Sequence, residues 1–185
     1  KTVVDLHSDG ENVKKLVADW EVTSTSVDLI VKRQNTINTL QGLGMQITEA
    51  VPGMQSEYNL LVDEMARGGY PASQVVLAKN QVYLAERILR SINAVLTGNE
   101  NSVEYADNFS TDTETFGTYL TGQLKGSAEN GVERIDDAGM RTILEGIQTE
   151  YDQVLKNASV NILVNSAPLL EVRQATTKIS STSDG

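Results

Sequence analysis

From about Asn12 onward, apolar residues return every three or four positions. Val13, Leu16, Trp20, Val27, Ile30 and Ile37 fall on one heptad frame, with Thr23 and Gln34 as polar interruptions. That period predicts a long helix. Past Ile37 the frame slips to Leu40, Ile47, Met54, Leu61 and Met65, a change of spacing that side-by-side helices absorb as local overwinding. Gly42, Gly44 and Pro52-Gly53 stand at or after the slip. A glycine weakens a helix interior by about 1 kcal/mol and a proline by about 3, so a kink, or a complete break, is expected near Val51. Gly68-Gly69 supplies a left-handed cap that ends the helix.

Pro71 opens a second helix, where a proline removes only an amide that lacks a partner anyway. It runs to Thr97-Gly98, with Ala78, Gln81, Ala85, Ile88, Ile92 and Val95 facing inward. Arg87 lies about 130° from the middle of that seam at roughly 100° per residue, and Glu86 can pair with Arg90 one turn later. Asn101 followed by Glu104 resembles a capping box and starts a third helix, with Ala106, Phe109, Thr113, Phe116, Leu120 and Leu124 inward. Gly126 ends it. After a loop over 127–131, Asn130 and Glu133 are expected to launch a fourth helix with Ile135, Leu144, Ile147, Tyr151, Val154 and Ala158 inward. Leu169, Val172, Ala175 and Ile179 continue it, with a bend expected at Pro168.

Short connections make neighbouring helices antiparallel. The expected fold is all-α, an antiparallel up-down-up-down four-helix bundle with a protruding long-helix stalk. The two middle helices, about 25 residues each, reach only about 40 Å. Helix two therefore covers helix one back to about Leu43, and helix four leaves the bundle near Ala158. The resulting division is a flexible N-terminal tail over 1–10, the stalk half of helix one over 11–42, a bundle over 43–160, and a C-terminal helix over 161–182. Two helices alone leave Val13, Leu16, Trp20, Val27 and Ile30 too wet, so the stalk calls for a second copy in parallel or for further segments of a larger protein.

Composition narrows the chemistry. A formal charge of -10, from 25 acidic and 15 basic residues without a Lys/Arg stripe, excludes a nucleic-acid surface and opposes docking on anionic lipid headgroups. With no cysteine there is no disulfide framework, thiol nucleophile or zinc cluster. His7 is the single histidine and sits in a charged segment expected to fray, so a catalytic triad, a di-iron bundle or a zinc site has no anchor. No glycine-rich strand-to-helix loop is present to cradle phosphate. Glu133, Asp136 and Asp137 read as an acidic first turn opposing the helix dipole, and Asp112 and Glu114 as solvated carboxylates. No run of about 18 apolar residues occurs. The expectation is a protein that is not an enzyme, with no catalytic residue, metal or cofactor. Starting at Lys1 and closing on Ser-Thr-Ser-Asp-Gly, the chain fits an excised fragment of something anchored in a membrane.

Two polar sets remain. Gln81 and Gln34 stand in apolar seams, as single polar residues do when they set helix register. Lys79, Tyr83, Arg87 and Arg90 form a candidate ligand or partner surface on helix two, since guanidinium forks suit carboxylates and other planar anions.

The wording of Gln81 through Leu89, then Asn93, Val95-Leu96, Gly98, Glu100-Asn101-Ser102-Val103, Ala106-Asp107, Phe109, Phe116-Gly117 and Gly122 carries a resemblance. Asp19-Trp20, Glu49 and Gln55-x-Glu57-Tyr58 extend it upstream. Over most of residues 10–182 the chain resembles the periplasmic sensor region of PilJ-type methyl-accepting chemotaxis transducers of type IV pili, in its second, C-terminal module. The first module of that family is absent, and residues 10–50 look like the helix that would connect the two. The resemblance implies a periplasmic domain of an inner-membrane receptor controlling twitching motility, homodimeric in the intact protein. It also implies pilin as a partner, and a histidine kinase reached only through a separate cytoplasmic signalling domain. Membrane contact would come only through transmembrane helices outside this chain. The alternative from the residues alone is a self-assembling helical protein, flagellin-like or needle-like, whose stalk seam drives polymerisation.

Overall fold

In a computed structural model, residues 3–98 and 100–183 are described, with side chains over 10–98 and 100–182. The elements are α1 (Val3–Arg67), α2 (Ala72–Leu96), α3 (Ser102–Lys125), α4 (Ala138–Glu150), a π-helical turn (Tyr151–Leu155) and α5 (Lys156–Ser183). There is no β-strand among the described residues; Ser127 and Val132 form an isolated antiparallel bridge. The fold is an all-α bundle. At about 1.5 Å per residue α1 is about 98 Å long, against about 38 Å for α2.

Antiparallel packing follows from which residues meet. Gln81 of α2 reaches Phe116 of α3, Arg87 reaches Asp112, Tyr58 of α1 reaches Gln123, and Ser110 of α3 reaches Ser159 of α5. At the distal end the Gln74 amide donates to the Gly131 carbonyl at 2.9 Å and its oxygen accepts from the Glu133 N–H at 3.0 Å. At the opposite end Arg173 of α5 donates to the Thr97 carbonyl and packs its stem on Gly98, whose φ of 62° suits a glycine.

The closed core runs from Leu40 on α1 to Ile162 on α5, with Tyr58, Phe109, Phe116, Ile47 and Leu144 fully buried in it. Beyond that level α1 and α5 continue as a pair. The Thr23 and Thr182 hydroxyls share a hydrogen bond at 3.2 Å, Arg33 and Glu171 are paired at 2.9 Å, and Ser26 and Ala175 are buried. Leu16 and Trp20 are 69% and 70% exposed.

Four expectations need correction. Helix α1 begins at Val3, well before Asn12, so the backbone from Val3 is helical where a flexible tail was expected; the side chain of His7 lies outside those described. The break near Val51 is absent: α1 continues through Pro52, which is exposed, while Val51 and Met54 on either side are fully buried and fix the helix to the core. Gly44 is no loosened turn either, because it is buried and receives the Leu96 side chain. Finally, α4 starts at Ala138, with Asp137 accepting from the Met140 N–H at 2.9 Å. The Ser127–Val132 bridge and the two bonds from Gln74 hold the preceding segment out of helical form, so Glu133 and Asp136 lie in a loop and not in a first turn. Helix α5 passes through Pro168 without a break.

Candidate functional site

Helix α2 turns Ala78, Gln81, Ala85 and Ile88 to the core, which leaves Asn80, Tyr83 and Arg87 at its shoulder against α3. There, with Thr115 and Tyr119, they line a groove of about 270 Å³. The Arg87 guanidinium sits 2.9 Å from the Asp112 carboxylate, whose side chain is 4% exposed. Burial pushes the Asp112 carboxyl above its usual range, and Arg87 pulls it back. Asp112 is therefore not the solvated carboxylate its sequence position suggests. Of the four surface residues singled out on this helix, Tyr83 and Arg87 share the groove. Arg90 pairs instead with Glu86 at 3.1 Å, and Lys79 is exposed outside the groove lining.

Beneath the groove lies a buried polar chain. The Gln81 amide donates to the Phe116 carbonyl at 2.8 Å and to the Tyr58 hydroxyl at 3.2 Å, and that hydroxyl donates to Gln123 Oε1 at 2.9 Å. Burial raises the Tyr58 hydroxyl pKa, which keeps it a neutral donor. Gln81 thus ties three helices together. Gln34, on the same kind of heptad position, is exposed and donates to Asn38 of its own helix at 2.9 Å. It is not a core residue of this chain, because α2 and α3 end before reaching its level.

A second, more polar groove of about 460 Å³ runs between α3 and the π turn. Tyr58, Phe116 and Tyr151 form a stack across the bundle: Tyr58 meets Phe116 edge-on at 5.4 Å, and Phe116 lies near-parallel to Tyr151 at 6.1 Å. The half-buried Tyr151 swings its hydroxyl over Gly117, where a Cβ would overlap it. Burial, then the charges of Asp152 and Glu114, push this hydroxyl's pKa up. Just before the π turn, Glu150 on α4 faces Glu57 on α1. Each has a buried Oε2 that accepts no hydrogen bond, and burial followed by Glu150's charge raises the Glu57 carboxyl. No cluster of three or more metal-ligating side chains occurs among the described residues. Sequence reasoning placed Tyr151 in the core and missed this groove; Gly117, beside Phe116 on an otherwise apolar face, was its one visible trace.

No protein-family model matches the chain. Two curated relatives do. It is 36% identical over 166 residues, 89% of its length, to Protein PilJ of Pseudomonas aeruginosa. It is 31% identical over 169 residues, 91% of its length, to the Putative methyl-accepting chemotaxis AlkN of Alcanivorax borkumensis. This chain is PilJ-like along most of its length. It spans about a quarter of either relative, 24% and 25% respectively. Within this PilJ-like region no helix of the described residues is long and apolar enough to cross a membrane. What its side chains offer is two grooves on opposite flanks of α3 and a continuous helical path from the distal loop to the stalk.

Proposed function

We propose that this chain is a periplasmic signal-input domain of a PilJ-like methyl-accepting chemotaxis transducer that controls twitching by type IV pili. The observation that carries the reading, beside the similarity to PilJ, is the path α4–π turn–α5. It leaves the distal loop, passes both the core and a groove, and emerges beside α1 as half of the stalk. A partner or ligand bound on the bundle biases one of two packings, and a small movement of α5 against α1 carries the bias along the stalk. The domain receives a signal and catalyses no reaction. Tyr83 and Arg87 on the α2–α3 groove, with Lys79 and Arg90 beside it, form the face offered to a partner such as pilin. Gln81 holds the helix register beneath that face. The intact receptor is a homodimer, anchored by membrane helices and coupled to a histidine kinase through a signalling domain, all outside this chain.

Since the chain lacks cysteine, an engineered crosslink tests the movement cleanly. The Thr23 and Thr182 hydroxyls are close enough for a Thr23→Cys/Thr182→Cys pair to oxidise within disulfide geometry. In the whole receptor, oxidation is expected to freeze twitching output at one level whatever the stimulus, with reduction restoring the response. A normal response in the fully oxidised receptor overturns the helix-movement mechanism. For the partner face, Lys79→Ala/Tyr83→Ala is expected to change twitching while leaving Tm unaltered; wild-type twitching removes that face from the reading.

A further inference from the structure

We propose that the groove between α3 and the π turn is an input site that takes a short zwitterionic peptide in extended form, and that the π turn reads its occupancy. The proposal rests on the signal-input reading above and gives that reading its ligand class.

The groove is built by close approach. Gly117 and Gly122 form its floor on α3; a Cβ on the first would overlap Tyr151, and on the second it would come within 3.1 Å of Val132. Thr118 and Thr121 edge the floor with hydroxyls, which can serve peptide N–H and C=O groups without adding charge. Its volume of about 460 Å³ lies in the range of clefts that hold small ligands.

Charge sets the ligand's chemistry. Glu114 stands at one end and Lys125 at the other. They are eleven residues apart on one helix, or about 16 Å at about 1.5 Å per residue. Neither forms an ion pair among the described residues, whereas Asp152 nearby is engaged by Gln148 at 2.9 Å and Lys156 at 3.4 Å. A molecule satisfying both ends carries an ammonium and a carboxylate about 16 Å apart. At about 3.3–3.6 Å per extended residue that is a peptide of four or five residues; a free amino acid is too short to reach both, and a polyanion would meet Glu114 unfavourably.

The π turn supplies the readout. Such turns are rare and concentrate at functional sites, and Tyr151, its first residue, hangs its ring in the groove. A π turn holds one residue more than the α-helical turn it replaces. Its conversion to α-helix would rotate everything after Leu155 by about 100° and shift it by about 1.5 Å relative to α4. Everything after Leu155 is α5, and α5 is the stalk.

Tetraglycine is the probe, titrated into this 185-residue chain by calorimetry and thermal shift. It is expected to bind and to raise Tm, with the largest amide chemical-shift changes over residues 151–158. Acetylating its amine, amidating its carboxylate, or introducing Glu114→Gln or Lys125→Met should each weaken binding about tenfold. Tyr83→Ala, on the other groove, should leave binding unchanged. Equal binding of the doubly capped peptide, or no heat and no Tm change up to about 10 mM, a range that covers weak millimolar sites, overturns the site. Shift changes confined to α2 overturn its location. Binding that holds in the isolated chain while twitching of the whole receptor ignores the peptide sinks the signalling role and leaves the site standing.

Discussion

Arg87 of α2 and Asp112 of α3 form an unequal ion pair at 2.9 Å: the guanidinium is 57% exposed and the carboxylate only 4%. The arginine keeps much of its water while the aspartate has lost nearly all of its own, so removing the cation matters more than the Coulomb energy of the pair. Arg87→Ala should destabilise the domain by about 1–3 kcal/mol, the cost of a buried acceptor left without its partner. Urea unfolding would show this as a lower midpoint at constant slope. Adding Asp112→Asn should recover most of the loss, because no buried charge then remains. A silent Arg87→Ala would mean that Asp112 is already protonated in the native state.

Gly44 and Gly117 both sit inside helices beneath a neighbouring side chain, yet alanine should act oppositely at the two sites. At Gly44 the obstacle is the far end of Leu96 in the last turn of α2, a flexible and only partly buried group. It can swing aside, leaving the gain of about 1 kcal/mol that alanine brings to a helix interior. At Gly117 the obstacle is the Tyr151 ring and hydroxyl, pinned by the stack on Phe116. Overpacking there should cost about 1–3 kcal/mol, and amide exchange over the π turn should quicken. Denaturation of the two single variants checks the sign of each.

Glu57 and Glu150 repel each other across α1 and α4, and the sign of the resulting pH dependence follows. The folded Glu57 pKa is raised above 4.5, so the native state holds its proton when the unfolded chain has released it. Stability from this group is therefore intact below about pH 4.5 and lost as pH rises through the folded value. Glu57→Gln or Glu150→Gln should stabilise the protein at pH 7 by a few tenths of a kcal/mol, the scale of a partly solvated like-charge pair. The difference should vanish below pH 4.5. Thermal melts of wild type and variants across pH 3.5–8 would decide it, and a gain that grows toward acid would contradict the assignment.

What the sequence makes legible is what repeats locally. The heptad seams of α2 and α3 place Ala78, Ile88, Phe109 and Phe116 in the core, and Gly69, Gly98 and Gly126 adopt positive φ near helix ends because caps are written within a few residues. Features decided at a distance are not legible. The Asn130/Glu133 pattern has the local form of a helix start, but Gln74, 57 residues from Gly131, captures that backbone in a loop. Asp112 looks solvated until α2 brings Arg87 over it. Gln34 and Gln81 occupy equivalent heptad positions, and only the reach of α2 and α3 makes one exposed and the other a core hub. The π turn shifts the helical period by a single residue, too little for an apolar pattern with several polar gaps to register. Hence the candidate surface on α2 was half recovered, through Tyr83 and Arg87, and the groove at Tyr151 was not.

Leu16 and Trp20 lie four residues apart on one face of α1, both about two-thirds exposed, and Val27 and Val31 continue apolar exposure further along the stalk. Burying a leucine or larger apolar side chain gains roughly 1.5–3 kcal/mol, so a second stalk laid against this face has enough apolar surface to associate. Placing glutamates there reverses that gain and adds like-charge repulsion between copies without touching the core, which closes at Leu40. Leu16→Glu/Trp20→Glu is therefore expected to turn a dimer into a monomer in sedimentation equilibrium while the Tm of the bundle stays within about 2 °C of wild type, the range of a surface substitution. A wild-type chain that is already monomeric at high concentration would deny the stalk this role. A wild-type chain that grows without limit would instead favour open, head-to-tail assembly over a closed receptor pair.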